Sequence, residues 1–308
     1  MSKIALSAEN LTKIYSKNNS LNKSVLALNK LNLEVKQGEI FGLLGPNGAG
    51  KTTFINILGG TVIKTSGKVE LWGFDLDNNS RQVRASIGIV PQEVNFDPFF
   101  SPRKLLELQA GFYGVKKENR ITDLILKMVS LEKQANSYAR SLSGGMKRRL
   151  LIAKAMVHQP PILILDEPTA GVDVELRKNL WGNVKELNKL GVTIILTTHY
   201  LYEAQEMCDR IGIINKGNLV ALNTTQKLLE QIETKKIKFK VKNFNNFEKI
   251  KLNNVKFIKD DSEIIAIYNK NKFKFDEIIN IVKKNVEILD ISTDDANLED
   301  VFLEVTNN

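Results

Sequence analysis

The segment GPNGAGKTT, Gly45 to Thr53, has the spacing of a phosphate-binding loop, with glycines followed by a lysine and two threonines. It matches the pattern G-x-x-x-x-G-K-[S/T], and it lies between an apolar run and a helical pattern, as this motif requires. Glycines allow backbone N–H groups to close around phosphate oxygens. We therefore expect Lys51 to contact the β- and γ-phosphates of ATP and the Thr52 hydroxyl to bind Mg²⁺. The residues expected around the nucleotide are Gly45, Pro46, Asn47, Gly48, Ala49, Gly50, Lys51, Thr52 and Thr53.

Two adjacent carboxylates end the apolar run ILILDEP. Asp166 is at the position where a second Mg²⁺ ligand is needed, and Glu167 can orient or deprotonate the attacking water. Phosphoryl transfer depends mainly on positioning and charge neutralisation, so a phosphate loop, a metal ion and one base are sufficient. Without a phosphate loop in the same chain, this pair could equally be a polar turn at a strand end.

Three further side chains, two polar and one aromatic, are candidates for contact with the nucleotide or the metal ion. His199 ends the run VTIILTTH; a single histidine there is usually structural, but a parallel strand would bring it to the γ-phosphate. Gln92 follows another apolar run; by itself it could be a loop glutamine, but the end of this strand should lie near the metal ion. Tyr15 can stack on adenine or pack within a hairpin, and we favour stacking.

A second anion-binding helix end occurs about ninety residues after the phosphate loop. In LSGGMKRRLLIAKAM, Leu142 to Met156, Ser143 has the character of an N-cap before a basic helix with apolar periodicity. The first N–H groups and the positive dipole end of such a helix favour an anion.

These residues need a mainly parallel sheet to position them. The runs 39–44, 162–168 and 192–199 are nearly continuously apolar, as expected of strands buried on both faces, and polar residues or glycines follow each one. We predict an α/β domain over residues 1–232, with antiparallel edge strands and a helical subdomain at about 95–157. In KKIKFKVKNF, lysines alternate with apolar residues, which predicts a half-exposed strand. We assign it to a small α+β domain over residues 233–308, joined through the helical segment TTQKLLEQIETKK.

Composition restricts the class of protein. The 308 residues include one cysteine, which excludes a disulfide framework and a cysteine-based zinc cluster. No apolar run reaches the ~20 residues of a membrane helix, and the N-terminus resembles no secretory signal, so we expect an intracellular protein. The net charge of +9 lies wholly before Glu233 and is explained best by a solvated, lysine-rich surface. Attraction to an anionic membrane leaflet is the next interpretation, and no nucleic-acid partner is expected.

Together these residues resemble the ATP-binding subunits of ABC transporters, which are P-loop NTPases, and the match extends over residues 4–230. LSGG is similar to the signature motif of that family. The resemblance implies that Gly45–Thr52 form the Walker A loop, Gln92 the Q-loop, and Asp166 and Glu167 the Walker B pair. It also implies that Asp173 belongs to the D-loop and that His199 is the switch histidine. On this basis the catalytic residues are Glu167, His199 and Gln92, and the Mg²⁺ ligands are Thr52, Gln92 and Asp166.

The resemblance also explains the second helix end. In this family two nucleotide-binding domains meet head to tail, so Ser143, Gly144, Gly145 and Asp173 are expected at the ATP of the opposite protomer. One signature motif per chain implies a homodimer. The usual glutamine of the motif is Met146 here, and we expect a modest loss of order at the helix end because methionine cannot complete a capping box.

The sequence resembles one subgroup in particular, the drug-resistance-like ATPases of ABC-2-type exporters. The segments DEPTAGVDVELRKNLW and LEDVFLEVT, together with the small C-terminal domain, carry this resemblance. It implies ATP-driven export with a separate transmembrane permease, at the cytoplasmic face of the bacterial inner membrane. Aromatic residues after the Q-loop could receive a helix of the permease or form the core of the helical subdomain: Phe96, Phe99, Phe100, Phe112 and Tyr113. The alternative function is that of a soluble ABC ATPase acting on nucleic acid or ribosomes.

Overall fold

The computed structural model describes residues 3–16, 24–170, 174–244, 246–294 and 297–307. The chain divides into two compact units, residues 1–223 and 224–308. The division falls at the start of the helical segment that the sequence analysis assigned to the connection between the domains.

The first unit contains an alternation of strands and helices. Its strands are β1 (Ile4–Tyr15), β2 (Val25–Lys36), β3 (Ile40–Leu44), β4 (Ser66–Leu71), β5 (Phe74–Asp75), β6 (Ile87–Val90), β7 (Ile162–Asp166), β8 (Thr193–Thr198), β9 (Arg210–Asn215) and β10 (Asn218–Thr224). Its helices are α1 (Lys51–Leu58), α2 (Ser80–Ala85), α3 (Pro102–Phe112), α4 (Thr122–Met128), α5 (Gly144–Met156), α6 (Val174–Lys189) and α7 (Leu201–Met207), with 3₁₀ turns at Lys117–Asn119, Glu132–Gln134 and Ala139–Ser141.

A largely parallel sheet brings the predicted site residues to one edge. Its strand order is β10-β9-β3-β8-β7-β6, and β3 pairs in parallel with β8 and β9 while β7 pairs in parallel with β6 and β8. The register sets Leu44 beside Thr198 and Asp166 beside Thr197, so the loops that follow these strands start at the same edge. Every residue of β3 and β8 is buried, which confirms the prediction from their continuous apolar runs.

A second, antiparallel sheet has the order β2-β1-β4-β5. One hydrophobic core joins it to α1 and to the parallel sheet, through side chains such as Leu6, Leu31, Phe41, Phe54 and Ile164. Helices α3, α4 and α5 form a separate core of their own, which includes Leu106, Leu126 and Leu150. This second core lies in the segment predicted as a helical subdomain.

The second unit is a four-stranded antiparallel sheet with helices. Its elements are α8 (Thr225–Glu230), β11 (Thr234–Val241), β12 (Lys256–Asp260), β13 (Glu263–Asn269), α9 (Phe275–Asn285), β14 (Ile288–Asp294) and α10 (Leu298–Asn307), with a 3₁₀ turn at Phe247–Lys249 and the strand order β12-β13-β11-β14. Along β11 the buried Ile237, Phe239 and Val241 alternate with lysines. The period of two confirms the strand predicted there.

Candidate active site

The phosphate-binding loop joins β3 to α1, and two of its glycines are required by close backbone packing. A Cβ on Gly45 would lie 2.3 Å from the Ile214 carbonyl oxygen, and one on Gly50 would lie 2.5 Å from the Ala27 carbonyl oxygen. Gly50 also has φ +115, in the left-handed region that favours glycine. Among the residues that the structure describes, no side chain caps the start of α1. Its first N–H groups therefore face the loop and can bind phosphate.

Lys51 points back into this loop. Its side chain is buried, with 6% relative exposure, and Nζ donates hydrogen bonds to the carbonyl oxygens of Gly45 at 2.6 Å and Pro46 at 3.2 Å. Burial lowers the pKa of Lys51, while the nearby carboxylates of Glu167 and Asp166 act in the opposite direction. A buried ammonium group is therefore held where phosphate oxygens would meet the loop.

Asp166 lies at the end of β7 and is hydrogen-bonded across the sheet. The Thr197 hydroxyl of β8 donates to Asp166 Oδ1 at 2.6 Å. Burial raises the pKa of Asp166, and the Thr197 hydrogen bond offsets part of this effect. The predicted metal ligands Thr52, Gln92 and Asp166 would supply a hydroxyl, an amide and a carboxylate oxygen. This donor set fits Mg²⁺, which prefers oxygen ligands and usually takes one or two carboxylates together with substrate phosphates.

The Glu167 carboxylate contacts both of the other predicted catalytic residues. Its Oε2 accepts a hydrogen bond from Gln92 Nε2 at 3.2 Å and lies 3.2 Å from His199 Nδ1. Glu167 has φ 47, a left-handed conformation that costs a non-glycine residue on the order of 1 kcal/mol. Its own N–H donates to the Thr197 carbonyl oxygen at 3.0 Å and so supports this conformation. Gln92 and His199, predicted from two other motifs, therefore both contact the Glu167 carboxylate.

A single pocket of about 610 Å³ joins the phosphate loop to these side chains. Tyr15, at the end of β1, lines its mouth together with Val25 and Leu26, which are exposed apolar side chains on β2. Lys13 Nζ lies 4.7 Å from the centre of the Tyr15 ring. The pocket is lined by Tyr15, Val25, Leu26, Ala27, Asn47, Gly48, Ala49, Gly50, Lys51, Thr52, Thr53, Gln92, Glu167 and His199. The lining combines an aromatic ring with the phosphate-binding loop, and these two features match the base and the phosphates of a nucleotide.

The second predicted anion-binding end lies elsewhere on the surface. Ser143 is the N-cap of α5, and its side chain accepts a hydrogen bond from the Met146 N–H at 3.3 Å. Ser143, Gly144 and Gly145 are not among the residues that line the 610 Å³ pocket. The Met146 side chain is partly buried against the core of α3, α4 and α5. Asp173, the other residue predicted at the opposite protomer's ATP, lies outside the described residues.

Two residues of the site were not singled out by sequence reasoning. Thr197, the partner of Asp166, lies two positions before His199, so strand alternation could have placed both on the same face. Arg148 is buried, and its Nη1 donates hydrogen bonds to the carbonyl oxygens of Pro91 at 3.0 Å and Gln92 at 2.6 Å. No sequence signal separates this arginine from its neighbours Lys147 and Arg149, which are only partly buried. It attaches α5 to the loop that carries Gln92.

Neutralising Asp166 is expected to stabilise the nucleotide-free chain. Because the folded-state pKa of this carboxyl is raised, its charged form destabilises the folded chain at neutral pH. An Asp166→Asn variant keeps the acceptor for Thr197 and removes the charge, so we expect its Tm without nucleotide to rise by at most about 2 °C, because solvent screening reduces the effect at a partly buried group. Addition of ATP and Mg²⁺ should raise the Tm of the parent more than that of the variant. A nucleotide-free Tm clearly below the parent value would contradict this interpretation, and differential scanning calorimetry provides the measurement.

Comparisons with known proteins agree on one family. A family model described as ABC transporter matches residues 28–170. The linearmycin resistance ATP-binding protein LnrL of Bacillus subtilis (strain 168) is 32% identical over 98% of this chain and 98% of its own length, so the similarity extends over both compact units. The Nod factor export ATP-binding protein I of Burkholderia orbicola (strain AU 1054) is 39% identical over 67% of this chain and 68% of its own.

Solved structures show the same relationship. The dimeric structure of MJ0796, a bacterial ABC transporter cassette, has a TM-score of 0.63 and 29% identity, covering 71% of this chain and 98% of that chain. The post-hydrolysis dimer of the same cassette with ADP and Pi has a TM-score of 0.62 and 28% identity, with the same coverage.

Proposed function

This chain belongs to the ABC transporter family as an ATP-binding, ATP-hydrolysing subunit, and from that premise we propose that it energises export through a separate ABC-2-type permease. Two relatives are named for resistance to linearmycin and for export of Nod factor. No helix within the described ranges is long and apolar enough to cross a membrane. Binding to the permease would hold the chain at the cytoplasmic face of the bacterial plasma membrane.

The observation that carries the hydrolytic part of the proposal is the convergence on Glu167. The phosphate loop and Lys51 bind and neutralise the phosphates, and Tyr15 stacks on adenine. Glu167 orients the attacking water and accepts its proton, while Gln92 and His199 hold the Glu167 carboxylate in position. Mg²⁺ bound by Thr52, Gln92 and Asp166 would neutralise phosphate charge.

A second copy of the chain completes each site in this proposal. Ser143 and Gly144 are exposed at the start of α5, and Gly145, which follows them, is buried. A helix end of this kind favours anions, and because it lies outside its own chain's pocket, we assign its three residues to the γ-phosphate of a partner. Asp173 is proposed for the same interface. The dimeric structures of the related cassette MJ0796 support the association of two chains in this proposal.

Exposed aromatic side chains before the start of α3 and at its end, together with a groove that Tyr113 lines, are proposed to receive the permease. The groove has a volume of about 400 Å³ and is lined by Ile55, Arg84, Gln109 and Tyr113 among others. Tyr113 stacks on His158, with ring centres 3.6 Å apart, whereas Phe96 packs partly against the core of α3, α4 and α5. The remaining aromatic residues of the segment are exposed, most of all Phe112 at 84% and Phe99 at 62%. We assign docking to these exposed rings, including Phe100.

Replacing Phe112 by Asp is expected to separate the chain from its permease without affecting its own ATPase. A ring that is 84% exposed contributes little to folding, and a buried carboxylate would be costly in an apolar interface. We expect at least a 10-fold loss of co-purification with membranes, with kcat and Tm of the isolated chain within about 2-fold and 2 °C of the parent. The matched control is Tyr202→Asp, another strongly exposed aromatic residue, on α7.

The function itself is tested by affinity purification of the tagged chain from detergent-solubilised membranes, followed by mass spectrometry. We expect a protein with several membrane spans to co-purify with the parent and the control, and to be depleted with Phe112→Asp. Co-sedimentation with ribosomes, or salt-sensitive DNA binding without such a membrane protein, would instead support the alternative function.

A further inference from the structure

A buried carboxylate outside the nucleotide pocket links the two segments that carry Glu167 and His199. Glu203 lies on α7 with 5% exposure, and its Oε2 accepts a hydrogen bond from the Thr169 hydroxyl at 2.6 Å. Thr169 is completely buried. Glu203 Oε1 lies 3.1 Å from Arg177 Nε on α6. One carboxylate therefore accepts a hydrogen bond from the loop after β7 and lies within ion-pair distance of an α6 side chain.

The positions of these contacts along the chain connect them to catalysis. Thr169 follows Glu167 by two residues, and Glu203, in the first turn of α7, follows His199 by four residues. The 3.2 Å contact of Glu167 with His199 and the 2.6 Å hydrogen bond of Thr169 with Glu203 thus join the same two segments at two points. The first point lies in the pocket, whereas the second is buried and absent from the pocket lining.

Arg177 adds a contact next to the histidine itself. Its guanidinium carbon lies 4.9 Å from the centre of the Tyr200 ring, within the range of a cation–π interaction. The Tyr200 ring centre is in turn 4.2 Å from that of His199. Arg177 therefore contacts both the Glu203 carboxylate and the aromatic neighbour of His199.

We propose that Thr169, Arg177 and Glu203 form a brace of positioning residues that sets the separation between the Glu167 carboxylate and the His199 imidazole. The proposal rests on the catalytic roles proposed above for Glu167 and His199. No member of the brace lines the nucleotide pocket, so its loss should change the rate of hydrolysis more than ATP binding.

Small changes to the brace should lower the rate of hydrolysis because its polar atoms are buried. Removing the Thr169 hydroxyl leaves a buried carboxylate oxygen without its donor, and such an atom moves to regain a partner because unsatisfied buried groups are costly. A displacement of about 1 Å in a catalytic group can reduce a rate about 100-fold. Thr169→Val and Glu203→Gln both preserve side-chain volume while weakening the link.

The test uses steady-state kinetics of the purified full-length chain. We expect Thr169→Val and Glu203→Gln to lower kcat about 10-fold or more while KM for ATP changes less than about 2-fold. Thr169→Ser keeps the hydroxyl and should retain the parent kcat. Matched controls are Glu206→Gln, one turn away on the exposed side of α7, and Lys178→Met, the exposed neighbour of Arg177.

Histidine NMR separates positioning from general structural damage. The chain contains two histidines, His158 and His199, so the ring resonances can be assigned by removing one of them. In Thr169→Val we expect the His199 resonances to shift and those of His158 to stay unchanged, whereas Thr169→Ser should match the parent.

Parent-level kcat in both Thr169→Val and Glu203→Gln would overturn the brace. Equal shifts of both histidines together with a raised KM would also overturn it, since they indicate general disruption. Glu167→Gln and His199→Ala distinguish failure of the brace from failure of the proposed catalytic roles of Glu167 and His199. If these variants lose activity while the brace variants do not, only the brace fails; if they retain the parent rate, the proposed catalytic roles fail and the brace fails with them.

Discussion

Replacing Glu167 by Gln is expected to lower kcat for ATP hydrolysis by about 100-fold or more, which is the typical contribution of a positioned general base. The amide preserves the size of the side chain and its contact with Gln92, but it cannot accept the proton of the attacking water. Phosphate binding depends on the loop at Gly45–Thr53 and on Lys51, which the substitution leaves in place. The Kd for ATP should therefore stay within about 3-fold of the parent value. A 10-fold change in Kd, which corresponds to about 1.4 kcal/mol of binding free energy, is not expected.

Phosphate release and equilibrium binding of a fluorescent ATP analogue measure the two quantities separately. Glu206→Gln is the control, because it makes the same chemical change at an exposed position of α7. Hydrolysis by Glu167→Gln at the parent rate would remove Glu167 from the catalytic role. Loss of binding together with hydrolysis would show that the carboxylate shapes the pocket rather than the reaction.

Replacing Ser143 by Arg is expected to abolish hydrolysis while leaving ATP binding by each chain unchanged. The serine hydroxyl and the first N–H groups of α5 are proposed to contact the γ-phosphate of the partner, and loss of one such contact costs about 100-fold or more in rate. The arginine side chain would also prevent close approach of the two chains. Loss of the N-cap alone costs about 1 kcal/mol of helix stability and does not account for an effect of this size.

Ser101→Arg provides the matched control for this prediction. Ser101 is likewise the N-cap of a helix in the same core, α3, and accepts a hydrogen bond from the Lys104 N–H at 3.3 Å. It should lose similar stability and retain hydrolysis. If both serine variants lose activity equally, the effect comes from helix destabilisation, and Ser143 has no special role toward the partner.

The phosphate loop and the edge of the parallel sheet could be predicted from the sequence because both depend on local patterns. The loop is contiguous, with fixed spacing, and a buried parallel strand has a recognisable apolar run. Since parallel strands end at the same edge, Asp166, Glu167 and His199 could be placed together before any contact was known. The alternation of Ile237, Phe239 and Val241 with lysine likewise predicted β11.

The contacts that refine the site could not be predicted, because they join residues far apart in the sequence through a particular register. The hydrogen bonds of Thr197 to Asp166 and of Thr169 to Glu203 each span more than thirty residues. Arg148 lies in a basic helix whose sequence suggests exposure to solvent. It is buried because the loop that carries Gln92 packs over it. The left-handed backbone of Glu167 is stabilised by a neighbouring strand, and no local preference of glutamate indicates it.

Size-exclusion chromatography with light scattering on Glu167→Gln, with and without ATP and Mg²⁺, tests most directly whether each chain completes its partner's site. We predict a monomer without nucleotide and a dimer of twice 34.7 kDa with ATP and Mg²⁺. The dimer should be lost in the Glu167→Gln, Ser143→Arg double variant and kept in the Glu167→Gln, Ser101→Arg double variant. A Glu167→Gln chain that binds ATP and stays monomeric, or a dimer that forms equally well with Ser143→Arg, would contradict the shared site.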